Sequence, residues 1–180
     1  YSQSLVTKTG TSMATPVVSG LAALVKAIHP SWSAERIGFQ IRSSASSIDD
    51  LNSSEFVNKL GHGSIDAFNA LNKNYPGIKT ISRQFIDNNG EKLTLEEAGT
   101  VKIKLANFGN SSSSLNVTLN AVTQDGIEIN NTTQQLGSVA NGDTIDISYP
   151  IRLTQNFDLN ETPTFKLEFT DANQGYTDFK

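Results

Sequence analysis

Apolar residues in the first 78 positions fall in helix-length runs. The longest run extends from Thr15-Pro16 to His29, and its apolar members surround most of a helical circumference: Val17, Val18, Leu21, Ala22, Ala23, Leu24, Val25, Ala27 and Ile28. This pattern predicts a helix that is buried on nearly all sides, has a proline in its first turn and ends before Pro30. Two further helices are predicted, one from an N-cap at Ser33 to about Ala45 and a short one over residues 65–71.

Alternation with a period of two dominates the chain after Lys79. The alternating apolar positions are Val101, Ile103, Leu105; Leu115, Val117, Leu119; Ile145, Ile147, Tyr149, Ile151, Leu153; and Phe165, Leu167, Phe169. Turn signals at Asn88-Asn89-Gly90, Asp125-Gly126 and Asn141-Gly142 separate these segments. About six to eight short strands of this kind predict an antiparallel β-sandwich. We therefore expect an α+β chain with domains at residues 1–78 and 79–180, and a solvated loop at Ser111 to Ser114.

Composition narrows the possible partners. The chain has 14 Lys and Arg against 18 Asp and Glu, a formal charge of −4, and no cysteine. An acidic chain offers no basic surface to a phosphate backbone, so nucleic acid is not an expected partner. We expect no membrane span, because no apolar run approaches the ~20 residues that a span requires. Residues 1–10 lack the basic and apolar regions of a signal peptide, so any export signal would lie upstream.

Ser12 lies at the predicted start of the long helix. Unpaired backbone N–H groups and the positive end of the helix dipole suit a developing oxyanion there. Gly10 allows a tight turn before the serine, and the small side chain of Ala14 leaves room for a carbonyl group. From these residues alone, a helix-capping role is still favoured over a nucleophile, because serine is common at helix starts.

The string Gly10-Thr11-Ser12-Met13-Ala14-Thr15-Pro16, with the buried helix predicted after it, closely resembles the catalytic-serine segment of the subtilisin-like serine proteases, the subtilases. Pro30-Ser31-Trp32-Ser33 and the segment from Gly61-His62-Gly63 to Ala67 are also similar to that family, so the resemblance covers roughly residues 5–72. The serine motif of α/β-hydrolases is set aside because it requires glycine where this chain has Ala14.

The resemblance implies a serine endopeptidase in which Ser12 forms the acyl-enzyme and its own backbone N–H is one oxyanion donor. Gly10, Thr11, Met13, Ala14, Thr15 and Pro16 would support the motif. In this family the aspartate, the histidine and the asparagine of the oxyanion hole precede the serine by a long way. The chain therefore resembles the C-terminal part of a subtilase catalytic domain. It would act on protein or peptide substrates together with the missing N-terminal part of the same protease. A secreted or cell-surface bacterial protein is expected.

Neither histidine is expected to replace the missing base. His29 lies ~25 Å from Ser12 at 1.5 Å per helical residue, and His62 lies between two glycines in a predicted surface turn. The isolated chain is therefore predicted to be inert. An alternative remains open: a non-catalytic binding or structural module on a subtilase-like scaffold that has lost its base.

The second domain carries fewer signals. Its strand from Val101 to Asn107-Phe108-Gly109 resembles immunoglobulin-like or fibronectin-like modules that follow catalytic domains in large bacterial extracellular proteases. The aromatic residues are expected in the core or at its rim rather than in a carbohydrate platform: Phe85, Phe108, Tyr149, Phe157, Phe165 and Phe169. The clusters Asp171-Asn173-Gly175 and Asp87 to Glu91 indicate hairpin turns, so no metal or cofactor is assigned to this chain. The resemblance allows a structural calcium ion in the complete enzyme.

Overall fold

The computed structural model describes residues 9–57, 59–122, 126–158, 160 and 162–180. The chain divides into two compact units, a helical unit, Tyr1–Lys73, and a β-unit, Asn74–Lys180. Helices in one unit and antiparallel sheets in the other confirm the α+β class. The division lies between Lys73 and Asn74, whereas the sequence predicted a boundary after Ile78.

The described residues of the helical unit form three helices: α1 (Thr11–Ile28), α2 (Ala34–Ser43) and α3 (Ala67–Asn72). The predicted cap of α2 is confirmed, because the Ser33 hydroxyl accepts a hydrogen bond from the Arg36 N–H at 3.2 Å. Asp66 caps α3 by accepting from the Asn69 N–H at 2.9 Å. Two short 3₁₀ turns, Asp49–Leu51 and Ser54–Phe56, lie between α2 and α3.

The core of the helical unit is small, and α1 contributes only Leu21 and Val25 to it. Its other buried members are Trp32, Ile37, Ile41 and Ala70. The apolar residues on the rest of α1 are exposed: Met13, Val17, Val18, Leu24 and Ile28. The burial on nearly all sides that the pattern predicts for α1 inside a larger domain is therefore not reached among the described residues of this chain. The physical reason is that α2 and α3 cover one face of α1 only.

By length and composition, α1 could cross a membrane: it has 18 residues and a mean hydropathy of 1.4. We had expected no apolar run long enough for this. The helix lies near the N-terminus of the chain. Signal sequences at such a position, and core helices of soluble proteins, meet the same criteria of length and hydropathy. Hydropathy alone therefore does not assign α1 to a membrane.

In the β-unit, the residues that the structure describes form eight strands: β1 (Ile78–Asp87), β2 (Ala98–Asn107), β3 (Ser112–Ala121), β4 (Ile127–Ile129), β5 (Thr133–Val139), β6 (Thr144–Leu153), β7 (Phe165–Asp171) and β8 (Tyr176–Phe179). They pair in two antiparallel sheets of four strands, in the orders β1-β2-β6-β4 and β5-β3-β7-β8. Inward residues of both sheets join one core, which includes Val101, Ile103, Leu115, Val117, Tyr149 and Phe169. The predicted period-two alternation is confirmed in β2, β3, β6 and β7.

Asn107 at the end of β2 ties three chain segments together. Its Oδ1 accepts from the N–H groups of Gly77 and Gly109 at 3.0 and 2.9 Å. Its Nδ2 donates to the carbonyl oxygens of Asn110, Val139 and Ala140. A Cβ at Gly109 would clash with the backbone of Pro76 and Gly77. The Asn-x-Gly signal of the sequence is thus explained by a buried junction that accepts only glycine at position 109.

The predicted loop at Ser111 to Ser114 is wrong, because β3 begins at Ser112. Ser112 is buried and donates its hydroxyl to the Asp171 carboxylate at 2.5 Å, which draws the serine run into the sheet. The turn signals at residues 88–90 and 141–142 lie between strands as predicted, and Asp125 lies outside the described residues. The aromatic residues named above are buried or partly buried, apart from Phe108, whose exposed fraction is 36%.

Candidate active site at the start of the first helix

Gly10 precedes α1 in a conformation that strongly favours glycine. Its φ is 143° and its ψ is 162°. A Cβ added there would meet no atom within 4 Å, so the backbone angles and not the available space require glycine. The Gly10 carbonyl accepts from the N–H groups of Met13 at 2.9 Å and Ala14 at 3.3 Å, which closes the first turn.

Ser12 is the second residue of α1 and is exposed. Gly10 is the N-cap, so the capping role that the residues alone favoured for Ser12 is wrong. The Ser12 hydroxyl makes no hydrogen bond with any described residue, and no described residue accepts from the N–H groups of Thr11 or Ser12. Within the part of the chain that the structure describes, the site therefore combines a hydroxyl that makes no hydrogen bond with amides that donate none, at the positive end of a helix dipole.

Other hydroxyls of α1 are bonded to the backbone one turn earlier. Thr15 Oγ1 donates to the Thr11 carbonyl at 3.0 Å, and Ser19 Oγ donates to the Thr15 carbonyl at 3.1 Å. The corresponding carbonyl for Ser12 belongs to position 8, outside the described residues. Ser19 is thus a natural reference for Ser12: it is the same residue on the same helix, but its hydroxyl is occupied.

Pro16 lies inside α1, not in its first turn as predicted. The helix already begins at Thr11, so the nitrogen of Pro16 falls where an N–H would normally donate to the Ser12 carbonyl. Proline cannot supply that bond. The carbonyl of Ser12 therefore lacks its usual intrahelical donor.

His29 is held far from the start of α1. It is the C-cap of the helix, and its ring stacks on Trp32 with centroids 3.8 Å apart. The Arg36 guanidinium lies 4.2 Å from the centroid of the same tryptophan. With α1 continuous from Thr11 to Ile28, the ~25 Å separation of His29 from Ser12 expected from helical rise holds. His29 cannot act as the base for Ser12.

His62 lies in a turn whose shape depends on glycine. Gly61 has φ 67° and Gly63 has φ 102°. A Cβ at Gly63 would clash with the carbonyl of Ser46, because Ser46 and Ser64 exchange two backbone hydrogen bonds of 2.8 and 2.9 Å. His62 is half-buried in this turn and is not bonded to Ser12. Gly63 thus serves the packing of the turn against the segment after α2, whereas Gly61 is favoured by its backbone angles alone.

The acidic clusters serve turns of the β-unit. Burial would raise the pKa of Asp171, but hydrogen bonds from Ser112, from the N–H groups of Ser114 and Ser113, and from the Asn173 N–H outweigh burial and hold that pKa below its ordinary value. The N–H of Glu91, at 2.6 Å, leads the donors that lower the pKa of Asp87.

The described residues contain no group of three or more histidine, aspartate or glutamate side chains placed to hold a metal ion. An apolar cleft in the β-unit was missed by the sequence analysis, because its walls come from strand ends and loops without a periodic pattern.

Residues 1–63 match the family model of the subtilase family, Peptidase_S8. Relatives from Arabidopsis thaliana include Subtilisin-like protease SBT1.4, 39% identical over 80 residues, which are 38% of this chain and 10% of the relative. Subtilisin-like protease SBT1.9 is 50% identical over 42 residues, 23% of this chain and 6% of the relative. The chain spans no more than 10% of the length of these curated relatives. Both relatives are from a plant, so they give no support to a bacterial origin.

Among solved structures, a FixG-related protein from Vibrio parahaemolyticus is 17% identical with a TM-score of 0.36, covering 58% of this chain and 89% of that chain. A β-glucosidase from intestinal bacteria is 10% identical with a TM-score of 0.29, covering 59% of this chain and 16% of that chain. No inference about function follows from similarities this low. The family match and the partial relatives agree, and they relate residues 1–63 to the subtilase family of serine proteases.

Proposed function

We propose that this chain carries the nucleophile region of a subtilisin-like serine endopeptidase, with Ser12 as the residue that forms the acyl-enzyme. The observation that carries the proposal is the exposed Ser12 hydroxyl in the first turn of α1, which, like the neighbouring amides, has no hydrogen-bond partner among the described residues. The subtilase match over the same residues supports it. The substrate class is protein or peptide.

In the proposed reaction, Ser12 Oγ attacks the carbonyl carbon of the scissile peptide bond while a general base takes its proton. The carbonyl oxygen becomes negatively charged and accepts a hydrogen bond from the N–H of Ser12. The positive end of the helix dipole further stabilises this charge. The same base then gives its proton to the leaving amine, and water later releases the acyl group by the reverse sequence. The small side chain of Ala14 and the turn at Gly10 leave this face of the helix open.

The general base and the second oxyanion donor are proposed to come from a preceding part of the same protease. His29 is too distant, and Ser12 has no hydrogen bond to His62 or to any other described residue. The exposed apolar face of α1 is the natural contact for that preceding part, because an exposed row of Met13, Val17, Leu24 and Ile28 is costly in water.

The β-unit is proposed to be an accessory module of immunoglobulin-like or fibronectin-like type. Two antiparallel sheets of four strands with one shared core support this assignment. We further propose that the complete protein is exported and that the complete enzyme can hold a structural calcium ion.

A second candidate is a non-catalytic module on a subtilase-like scaffold. The absence of a base near Ser12 among the described residues favours it. The complete reading frame distinguishes the two, since the enzyme requires histidine and aspartate in subtilase contexts upstream.

Hydrolysis of a chromogenic peptide by the purified 180-residue chain tests the proposed division of the active site. We expect no serine-dependent turnover, because a positioned general base alone contributes about 10²–10⁴-fold in rate. Ser12→Ala should change nothing in this chain, and Ser19→Ala is the matched control. Turnover that disappears in Ser12→Ala but persists in Ser19→Ala would show that the chain contains its own base.

A further inference from the structure

An apolar cleft of about 250 Å³ opens at one end of the β-unit. Its walls come from the end of β1, the β1–β2 loop, the end of β6 and the segment that leads into β7. The residues that matter here are Phe85, Leu93, Ile151, Leu153, Phe157 and Phe165. Among the described residues that line the cleft, Lys92 is the one that carries a charge.

Close backbone approaches fix two of these walls. A Cβ at Gly99 would clash with the Leu93 side chain, and a Cβ at Gly126 would clash with the backbone of Phe157. Gly126 also has φ 83°, where glycine is favoured. Leu93 and Phe157 are therefore held in place by packing that only glycine permits.

Phe85 and Phe165 form a third wall, with their rings stacked at a centroid distance of 5.3 Å. They pack against the common core of the two sheets. The cleft thus adjoins the core that the two sheets share.

The cleft is open to solvent, and its lining is predominantly apolar. An apolar group that enters it removes hydrocarbon surface of both the ligand and the cleft from water. An apolar group of aromatic or branched aliphatic size is therefore favoured over water.

Lys92 gives the cleft a preference for ligands that carry a negative charge. It is exposed and forms neither an ion pair nor a hydrogen bond with any described residue. An ammonium at the edge of an apolar site attracts an anionic group on a ligand whose remainder is buried.

We propose that this cleft binds a compact apolar molecule that carries one carboxylate. The hydrocarbon part packs against Leu153, Phe157 and Phe85, and the carboxylate lies at the Lys92 ammonium. The inference is independent of the protease assignment, because it uses residues of the β-unit only.

Titration of the ¹⁵N-labelled 180-residue chain with 3-phenylpropanoate tests the proposal, with 3-phenylpropanamide as the uncharged control ligand. We expect saturable shifts of the Leu93 and Phe157 amide signals, and affinity for the acid about threefold or more above that for the amide. No saturable shift at these residues up to about 10 mM would overturn the site. Equal affinity for acid and amide would overturn the role of the carboxylate.

Two variants separate the parts of the site. Leu153→Trp fills the cleft and should lower the affinity for both ligands at least tenfold. Lys92→Gln leaves the apolar walls intact and should make acid and amide bind equally, so the proposal stays testable if Leu153→Trp does not fold. Lys102→Gln, which removes a lysine from β2 outside the cleft, should change neither affinity. An equal loss in Lys102→Gln and Lys92→Gln would contradict the assignment.

Discussion

The stability of this chain depends most on single side chains that form hydrogen bonds with several buried polar groups. Asn107 is 1% exposed and pairs with two N–H groups and three carbonyl groups from the entry to β1, the β2–β3 turn and the end of β5. Removing one such side chain leaves several buried polar groups without partners, and each of these costs about 1–3 kcal/mol.

Asn107→Ala is therefore expected to lower the unfolding free energy of the β-unit by about 2–4 kcal/mol. The measurement is a urea titration followed through the amide signals of β2 and β3. Asn120→Ala is the control, because the Asn120 side chain is half-buried and donates to Glu168 alone among the described side chains. Similar losses in both variants would contradict the role given to Asn107.

Tyr149 makes the free energy of unfolding depend on pH in the alkaline range. Its hydroxyl donates to the Val117 carbonyl at 2.8 Å, and burial raises its pKa to about 12. The unfolded chain has a tyrosine pKa of about 10. The folded state thus keeps the proton longer than the unfolded state, so the contribution of Tyr149 to stability is complete below pH 10 and is lost as the pH rises towards 12.

Tyr149→Phe should remove this loss. Unfolding free energies measured between pH 9 and 12 should fall more steeply for the unmodified chain than for Tyr149→Phe, because the lysines titrate equally in both and cancel in the comparison. Parallel curves for the two chains would show that Tyr149 does not titrate differently on folding.

At the scale of elements, the start of β1 decides where the β-unit can be cut. Tyr75 and Ile78 both belong to the shared core, with exposed fractions of 9% and 1%. Both lie before the sequence-predicted boundary at Lys79 and after the observed division at Asn74.

A fragment of residues 74–180 should fold cooperatively, and a fragment of residues 79–180 should be less stable by about 3 kcal/mol or more, because it lacks two large core side chains. Thermal unfolding of the two fragments is the measurement. Equal midpoints would place the boundary of the folding unit where the sequence pattern put it.

Elements with a complete local signal were predictable from the sequence. Alternation located β2, β3, β6 and β7, and Ser33 marked the start of α2. Elements whose structure depends on a residue far away in the sequence were not predicted correctly. The serines before Leu115 read as a loop because Asp171, which draws Ser112 into the sheet, lies 59 positions away. Apolar periodicity likewise shows which faces of α1 avoid water, but it does not show which of them are covered.

The candidate site shows the same limit. The string around Ser12 identified the nucleophile candidate, but it could not reveal that Gly10 is the cap and that Pro16 lies in the body of the helix. Both depend on where α1 begins, and helix ends are poorly determined by sequence.

At the scale of the whole molecule, we propose one common explanation for the exposed face of α1 and for a Ser12 hydroxyl that has no partner among the described residues: contacts from another part of the protein complete both. Counting described residues alone, the core cluster of the helical unit has six buried members, whereas that of the β-unit has fifteen. Expressed alone, residues 1–73 should therefore bind hydrophobic dyes and give poorly dispersed amide spectra. Sharp, dispersed spectra would show that the helical unit needs no further partner.

Fluorophosphonate labelling of the protein translated from the complete reading frame tests the central claim most directly. The account predicts one labelled serine, Ser12, with labelling abolished in Ser12→Ala and retained in Ser19→Ala. Absence of label from the folded protein, or label that persists in Ser12→Ala, would contradict the assignment of Ser12 as the nucleophile.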